Sequence, residues 1–423
     1  MGAYYTRPIA ADGTPGAPTW QAWDGGNVGP YATGDGRAVT FTADSDPAGG
    51  SFVQSVFKND VAGFFRVPST SGALLYVTGR YAIVNGSSPA KQYIGGLGVY
   101  SDLQPIVTRS VAAASVWGTK VWTPGSGTGV VTAKDLKTGK VTDTIATGAP
   151  CVPKELQTMG RWIYWSCGPT STAGVWDRTA KKNIAVPSGE ILLGDGYVVR
   201  HDTADGALLL TSFADGTAAT RKIGDLAAGG STRRGVTWTV DKFGGPVAYV
   251  DADRRIHLVP SGTATQALGV IESEVTSEIG RDWWWQWRRL LSKPAASWKP
   301  TLTSKATGAV ARTFSGAEVS GGVSVRWDGR DGKGVYVPNG TYTFTLTASP
   351  ADGSGPALTV TQSMRVSSGA VARRDFTNYA SWMPDGIGDV MTLSSSGVVS
   401  YRPGNGTGGI ARTTSSSASA AAN

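Results

Sequence analysis

The chain has 423 residues, 40% of them apolar and 17% charged, so it can bury two or three cores under a surface rich in Ser, Thr, Gly and Asn. Its 39 Lys and Arg exceed its 31 Asp and Glu for a net charge of +8, yet they are scattered and never run beyond pairs such as Lys181-Lys182 and Arg233-Arg234. A nucleic-acid binder gathers charge into a stripe with stacking aromatics, so no nucleic-acid partner is expected.

The 58 Gly and 22 Pro punctuate short apolar runs, which favours an all-β protein built on tight turns. Helical periodicity is hard to find: the long stretch from Glu272 to Arg289 is nearly free of Gly and Pro, and Gly280 breaks even that. No apolar run is long enough to span a membrane as a helix. The start, Met1-Gly2-Ala3-Tyr4-Tyr5, lacks a basic region followed by an apolar one, so secretion implies a leader already removed.

Residues 1–33 carry Trp20, Trp23 and Tyr31 and are expected to help close, or to line the mouth of, the domain that follows. A unit then recurs in which a Gly-containing turn precedes a strand of alternating bulky residues. It appears at Gly79-Arg80-Tyr81, Gly118-Thr119-Lys120, Gly160-Arg161-Trp162, Gly194-Asp195-Gly196-Tyr197 and Gly244-Gly245-Pro246. The glycines at 79, 118, 160, 196 and 245 are 39, 42, 36 and 49 residues apart. Turns opening on Asp135, Asp177 and Asp251 follow several copies. A period of about 40 residues with several strands per unit is that of a β-propeller blade, whereas serial sandwiches repeat nearer about 100 residues. Residues 34–288 are therefore expected to form a six- or seven-bladed β-propeller.

Within it, Cys151 and Cys167 frame Trp162-Ile163-Tyr164-Trp165. A disulfide in an oxidising compartment is expected in preference to two buried thiols, and it would contribute about 3 kcal/mol in the chain-entropy model. His201 and His257, the two histidines, sit in no metal spacing and read as exposed or hydrogen-bonded strand residues. No nucleophile elbow, phosphate loop or dinucleotide fingerprint appears in a credible context. The remaining enzymatic route is a pair of carboxylates, for which Glu190, Asp195, Asp202, Asp205 and Asp241 are the blade-edge candidates. Acidic residues in turns are more often solvated turn formers, and no catalytic residue is assigned.

Asp282-Trp283-Trp284-Trp285-Gln286-Trp287 concentrates four tryptophans. On a strand, Trp283, Trp285 and Trp287 share one face. Trp283, Trp284, Trp285 and Trp287 are the candidate sugar-stacking residues, and burial at a junction between domains is the competing use.

After Pro294 the pattern changes. Val323, Val325 and Trp327 alternate, Asp328-Gly329-Arg330-Asp331-Gly332 loops, and Pro338-Asn339-Gly340 turns into an alternating Tyr342, Phe344 and Leu346. The Trp-Asp-Gly loop and the Asn-Gly-Thr-Tyr strand start resemble the Ig-like domain of the flagellar hook-capping (FlgD-like) family, over residues 289–367. That resemblance implies an Ig-like β-sandwich, which follows a propeller in many secreted actinobacterial proteins. In residues 368–412, Asp385-Gly386-Ile387-Gly388-Asp389 resembles one degenerate FG-GAP/VCBS-type repeat. The family wraps calcium in oxygen ligands, which implies Asp385 and Asp389. Ser381 and Met383 stand where earlier ligands would be, and this counts against the ion. No other cofactor is expected. The Ser/Ala-rich tail, 413–423, is expected to be disordered.

These readings converge on a non-catalytic extracellular recognition or scaffold protein, binding polysaccharide, cell-wall glycan or a secreted protein partner through the propeller face. The alternatives are a glycoside hydrolase or polysaccharide lyase using paired carboxylates at the channel, and a modulator of secreted proteases or an assembly component.

Overall fold

A computed structural model describes residues 2–8, 14–23, 28–34, 37–43, 50–57, 60–98, 103–227, 234–275, 278–279, 285–367, 375, 385–393, 398–410 and 418–419. Every regular element among them is a β-strand. The chain divides into two compact units, Met1–Gln266 and Ala267–Asn423.

The first unit is a β-propeller of successive antiparallel meanders. Sheet 1 runs Val28–Ala32, Ala38–Thr42, Ser51–Phe57, Asp60–Val67. Sheet 2 runs Gly72–Thr78, Tyr81–Gly86, Gln92–Gly96, Val107–Arg109. Sheet 3 runs Ser115–Trp117, Lys120–Pro124, Val130–Asp135, Val141–Ala146. Sheet 4 runs Glu155–Met159, Trp162–Ser166, Ala173–Asp177, Lys182–Val186. Sheet 5 runs Glu190–Leu193, Tyr197–His201, Ala207–Ser212, Ala219–Asp225. Sheet 6 has three strands, Trp238–Val240, Val247–Val250 and Ile256–Val259. A separate ribbon pairs Gly2–Thr6 with Thr19–Trp23, which holds Trp20 and Trp23.

Sheets 1 to 6 pack face to face in order, and a distinct apolar cluster fills each of the five gaps between successive sheets. Phe41 and Phe65 meet Tyr93 between sheets 1 and 2, while Ile83 and Ile94 meet Val116 and Val121 between sheets 2 and 3. Trp122 meets Ile163 and Trp165 between sheets 3 and 4, Tyr164 meets Val198 between 4 and 5, and Tyr197 meets Trp238 between 5 and 6. Closure returns to sheet 1: Phe243 packs so tightly on Gly34 that a Cβ there would fall 2.0 Å from its Cζ. The first strands of sheets 2 to 6 neighbour one another in order, as strands nearest a propeller axis do.

The sequence repeat is the hairpin joining the first two strands of each sheet. Gly79, Gly118 and Gly160 occupy the first central position of two-residue turns at φ of 50°, 59° and 54°, as a type II′ turn requires. Each hairpin also accepts from the sheet's outer half: Leu97 N–H to Arg80 O at 2.6 Å, Leu136 N–H to Thr119 O at 2.8 Å and Arg178 N–H to Arg161 O at 2.9 Å. Asp135 and Asp177 open third-to-fourth turns, and each Oδ1 accepts two backbone N–H groups. Asp251 differs by opening a second-to-third turn.

In the second unit, Val270–Val275, Trp285–Leu291 and Gly322–Trp327 form one sheet. The other orders Glu278–Ile279, Leu358–Val366, Gly340–Pro350, Ala295–Ser304 and Val310–Thr313. The alternating residues of both sheets meet in one core: Trp285, Trp287, Val325 and Trp327 against Leu302, Tyr342, Phe344 and Leu346. Trp327 Nε1–H donates to Arg330 O at 2.6 Å, and Asp328 Oδ1 accepts the Arg330 N–H at 3.1 Å, so this loop is a structural turn. The tryptophan-rich strand Trp285–Leu291 pairs with Gly322–Trp327 and so belongs to the sandwich, whereas position 288 was expected to end the propeller. Ala418–Ser419, within the tail expected to be disordered, pairs with Val398–Val399.

Candidate binding site at the propeller axis

The axis has two ends of different chemistry. At the hairpin end, the sheet 6 turn after Asp241 reaches across to three other sheets. Lys242 Nζ lies 3.5 Å from the Tyr76 ring centroid on sheet 2. Phe243 stacks on Trp117 of sheet 3, with centroids 5.8 Å apart and planes at 19°, while its ring also presses on Gly34. Tyr76 is fixed in turn by donating its hydroxyl to Thr158 O of sheet 4 at 2.8 Å. Lys242 and Phe243 therefore plug this end.

Asp241 Oδ1 accepts the Phe243 N–H at 2.8 Å. Water reaches the carboxylate, but the protein packed around the turn raises its pKa above the usual range, outweighing the Phe243 and Gly245 N–H donors. Tyr197 is buried, and its hydroxyl has no hydrogen-bond partner among the described residues. Burial first, then the charges of Asp241 and Asp195, push its pKa upward.

The opposite end is polar. Glu155, at the start of the sheet 4 inner strand, accepts from Arg234 Nη1 at 2.6 Å and from Gln157 Nε2 at 3.0 Å. Arg234 Nη1 and Gln157 Nε2 also donate to Ile191 O of sheet 5 at 2.8 and 2.7 Å, while Gln157 Oε1 accepts the Leu193 N–H at 2.9 Å. Glu155 and Arg234 remain 29% and 32% exposed, so the pair is ordered yet reachable. Nearby, Glu190 Oε2 stands 3.3 Å from His201 Nδ1, and Arg200 pairs with Asp202 at 3.1 Å. The Cys151–Cys167 disulfide, with a Cα–Cα distance of 5.8 Å, ties the loop entering sheet 4 to the loop between its second and third strands. Both loops lie on the Glu155 side, because inner strands start there.

The carboxylate candidates take separate structural roles. Asp195 is buried and accepts from Trp162 Nε1 at 3.0 Å, Gln266 N at 2.7 Å and Gln266 Nε2 at 2.7 Å, anchoring the end of the unit. Asp202 and Asp205 accept turn N–H groups, and Glu190 faces His201. His257 Nε2 meets Asp251 Oδ2 at 2.7 Å, with its ring stacked on Tyr249. Glu155 and Arg234 were not singled out in the sequence, since their pairing joins positions 79 residues apart. A hint to the plug was legible: Phe243 is a large apolar residue in the otherwise polar turn Asp241-Lys242-Phe243-Gly244-Gly245.

Trp285 and Trp287 do not offer a sugar platform. Both are 0% exposed, because strand alternation and pairing with Gly322–Trp327 turn them into the sandwich core. Trp283 and Trp284 lie outside the described residues, as do Ser381 and Met383. Asp385 Oδ1 accepts the Ile387 N–H at 3.0 Å and Oδ2 meets Arg365 at 3.4 Å, while Asp389 Oδ1 accepts the Gly404 N–H at 2.9 Å. Asp375 accepts N–H groups of Asp385 and Gly386, and burial chiefly raises its pKa, with Asp385 and Asp389 adding to the effect. Among the described residues, no group of three or more His, Cys, Asp or Glu could hold a metal ion.

The FlgD Ig-like domain family matches residues 286–352. No curated protein matches the chain at a significant level. Among solved structures, BamB from Moraxella catarrhalis is similar at 14% identity, covering 69% of this chain and 96% of its own, with a TM-score of 0.33. Hsv2 from Kluyveromyces lactis is similar at 13% identity over 54% of this chain and 71% of its own, with a TM-score of 0.34. Among the described residues no helix is long and apolar enough to cross a membrane.

Proposed function

We propose that this is an extracellular, non-catalytic recognition protein whose propeller binds polysaccharide or cell-wall glycan at the Glu155–Arg234 end of the axis. The observation that carries this reading is the Glu155–Arg234 pair, partly exposed and held in place by the buried Gln157, with contacts of 2.6 to 3.0 Å. Such a pair presents fixed acceptors and donors, which match sugar hydroxyls without having to be ordered on binding. The carboxylate candidates described above answer to their own cations or backbone donors, an arrangement suited to shape and less to a proton-sharing acid pair. The disulfide suits an oxidising compartment, in keeping with secretion. The Ig-like sandwich then serves as an appended module, and residues 368–412 as a degenerate FG-GAP/VCBS-like segment.

The test is a glycan-array and cell-wall sedimentation screen on the purified chain, repeated with Arg234→Met and Glu155→Gln. Saturable binding that falls at least about tenfold in Arg234→Met at unchanged melting temperature supports the reading. Binding untouched by both variants overturns it. Retention of a secreted protein in place of any glycan, abolished by the same variants, would move the partner class from sugar to protein.

A further inference from the structure

Among the described residues, sheet 6 has one strand fewer than sheets 1 to 5. Sheets 1 to 5 each carry a fourth, outer strand, whereas in sheet 6 the third strand, Ile256–Val259, is the edge among the described residues. The consequence shows in burial. In sheet 4 the third strand, Ala173–Asp177, is buried at every residue but Trp176, because Lys182–Val186 covers its outer side. In sheet 6 no residue of Ile256–Val259 is buried, and Ile256 is 72% exposed.

The hydrogen-bond pattern tells which backbone groups are open. The Val250 N–H bonds Thr237 O at 2.9 Å on the inner side of its strand, and the Asp251 N–H bonds Arg255 O at 3.0 Å on the outer side. Backbone direction alternates along a strand, so Arg255, His257 and Val259 turn inward to pair with Asp251, Tyr249 and Val247. Ile256 and Leu258 therefore present their N–H and C=O groups outward. Two donors and two acceptors at the right spacing form a template for one more strand.

The surroundings select its chemistry. Arg254 and Arg255 precede the edge, Arg254 with φ of 63° and no ion pair among the described residues, and Arg255 only 3.9 Å from Asp253. Just past the edge, Arg221 Nη2 donates to Pro260 O at 3.0 Å and Ser261 O at 3.1 Å, fixing where the strand stops. Lys222 is paired with Asp225 at 2.6 Å, and Asp251 with His257. At the N-terminal end of the edge strand Arg254 is left without an ion pair among the described residues, and Arg255 is held only by the loose, solvent-exposed contact with Asp253.

We propose that the outer edge of sheet 6 is a strand-accepting surface, taking an extended segment of a partner protein antiparallel to Ile256–Val259, with acidic residues at the segment's C-terminal end beside Arg254 and Arg255. Main-chain bonds to Ile256 and Leu258 provide the affinity, and the two arginines set the direction. A second copy of this chain fits less well, because a twofold pairing of four-residue edges buries far less than a stable dimer needs. This surface is separate from the axis and does not depend on the glycan reading.

The probes are two labelled octapeptides of alternating Val and Thr, one ending in Glu-Glu and the other in Lys-Lys. Fluorescence anisotropy should show saturable binding of the acidic peptide and about tenfold weaker binding of the basic one. Leu258→Pro removes one outward donor and leaves the inward ladder intact, so it should abolish binding while the protein stays folded. Should that variant not fold, Arg254→Glu combined with Arg255→Glu should reverse the peptide preference. Hydrogen exchange gives an independent readout: the Ile256 and Leu258 amides should exchange at least about tenfold faster than that of His257 and slow when the acidic peptide is added. Equal binding of both peptides, binding untouched by Leu258→Pro, or Ile256 and Leu258 amides already as protected as His257 in the free protein would each overturn the proposal.

Discussion

Phe243 of sheet 6 lies nearly parallel to Trp117 of sheet 3, at 5.8 Å and 19°, with its ring also against Gly34 of sheet 1. One side chain thereby joins three sheets far apart in sequence. Phe243→Ala should destabilise the first unit by about 2 kcal/mol, below the value for a fully enclosed ring because Phe243 is partly exposed. Gly34→Ala should also destabilise, since φ is 90° and the new methyl would overlap the ring. In urea unfolding the double variant should cost clearly less than the two changes added, and strict additivity would refute the contact.

Asp241 should show an inverted pH signature. Its folded-state pKa is raised, so its stabilising effect is full below the ordinary value near 3.8 and is lost as pH rises through the folded value. Asp241→Asn keeps the acceptor for the Phe243 N–H and removes the charge. The variant should unfold at higher temperature than the parent at pH 7 but not at pH 3. Equal melting shifts at both would show that the carboxyl is not held in crowded surroundings.

Asp331 should behave the other way. Donors from Val335 and Lys333 lower its pKa, so its contribution is present above the ordinary carboxylate value and disappears as pH falls through the folded one. Asp331→Ala should therefore narrow the gap between neutral and acid stability of the sandwich. An unchanged acid limb in a pH-jump melting series would speak against this.

Reducing Cys151–Cys167 should lower stability by about 3 kcal/mol, given a sequence separation of 16 residues. Thermal unfolding with and without reductant reads this directly. A loss of glycan or partner binding at temperatures where the reduced protein is still folded would link loop bracing to recognition.

Trp287→Ala should cost about 3–5 kcal/mol, because the ring is fully enclosed and lies 4.6 Å from Phe344. Trp287→Phe should cost visibly less. Normal stability in the alanine variant, measured by chemical denaturation, would place the indole outside the core.

Much of the architecture was legible in local pattern. Val323, Val325 and Trp327 alternate and are buried, as are Tyr342, Phe344 and Leu346. Gly79, Gly118 and Gly160 mark real hairpins, because a tight turn needs positive φ at a fixed position and few other residues supply it. The cysteine pair was legible for the same reason, being close in sequence. The tryptophan run was ambiguous, since a row of large apolar faces suits a sugar platform and a core equally until the partner strand is known.

By itself, then, the sequence determined the all-β class, the propeller-like repeat, the sandwich and the disulfide, all of which follow from short-range periodicity and turn chemistry. Tertiary structure alone decided that Trp285 and Trp287 face inward, that Lys242 and Phe243 plug one end of the axis, that Glu155 meets Arg234, and that Ile256–Val259 is the edge of sheet 6 among the described residues. Those outcomes depend on which strands become neighbours, and contacts between residues 79 to 209 positions apart (Glu155–Arg234, Gly34–Phe243) leave no periodic trace in a single chain.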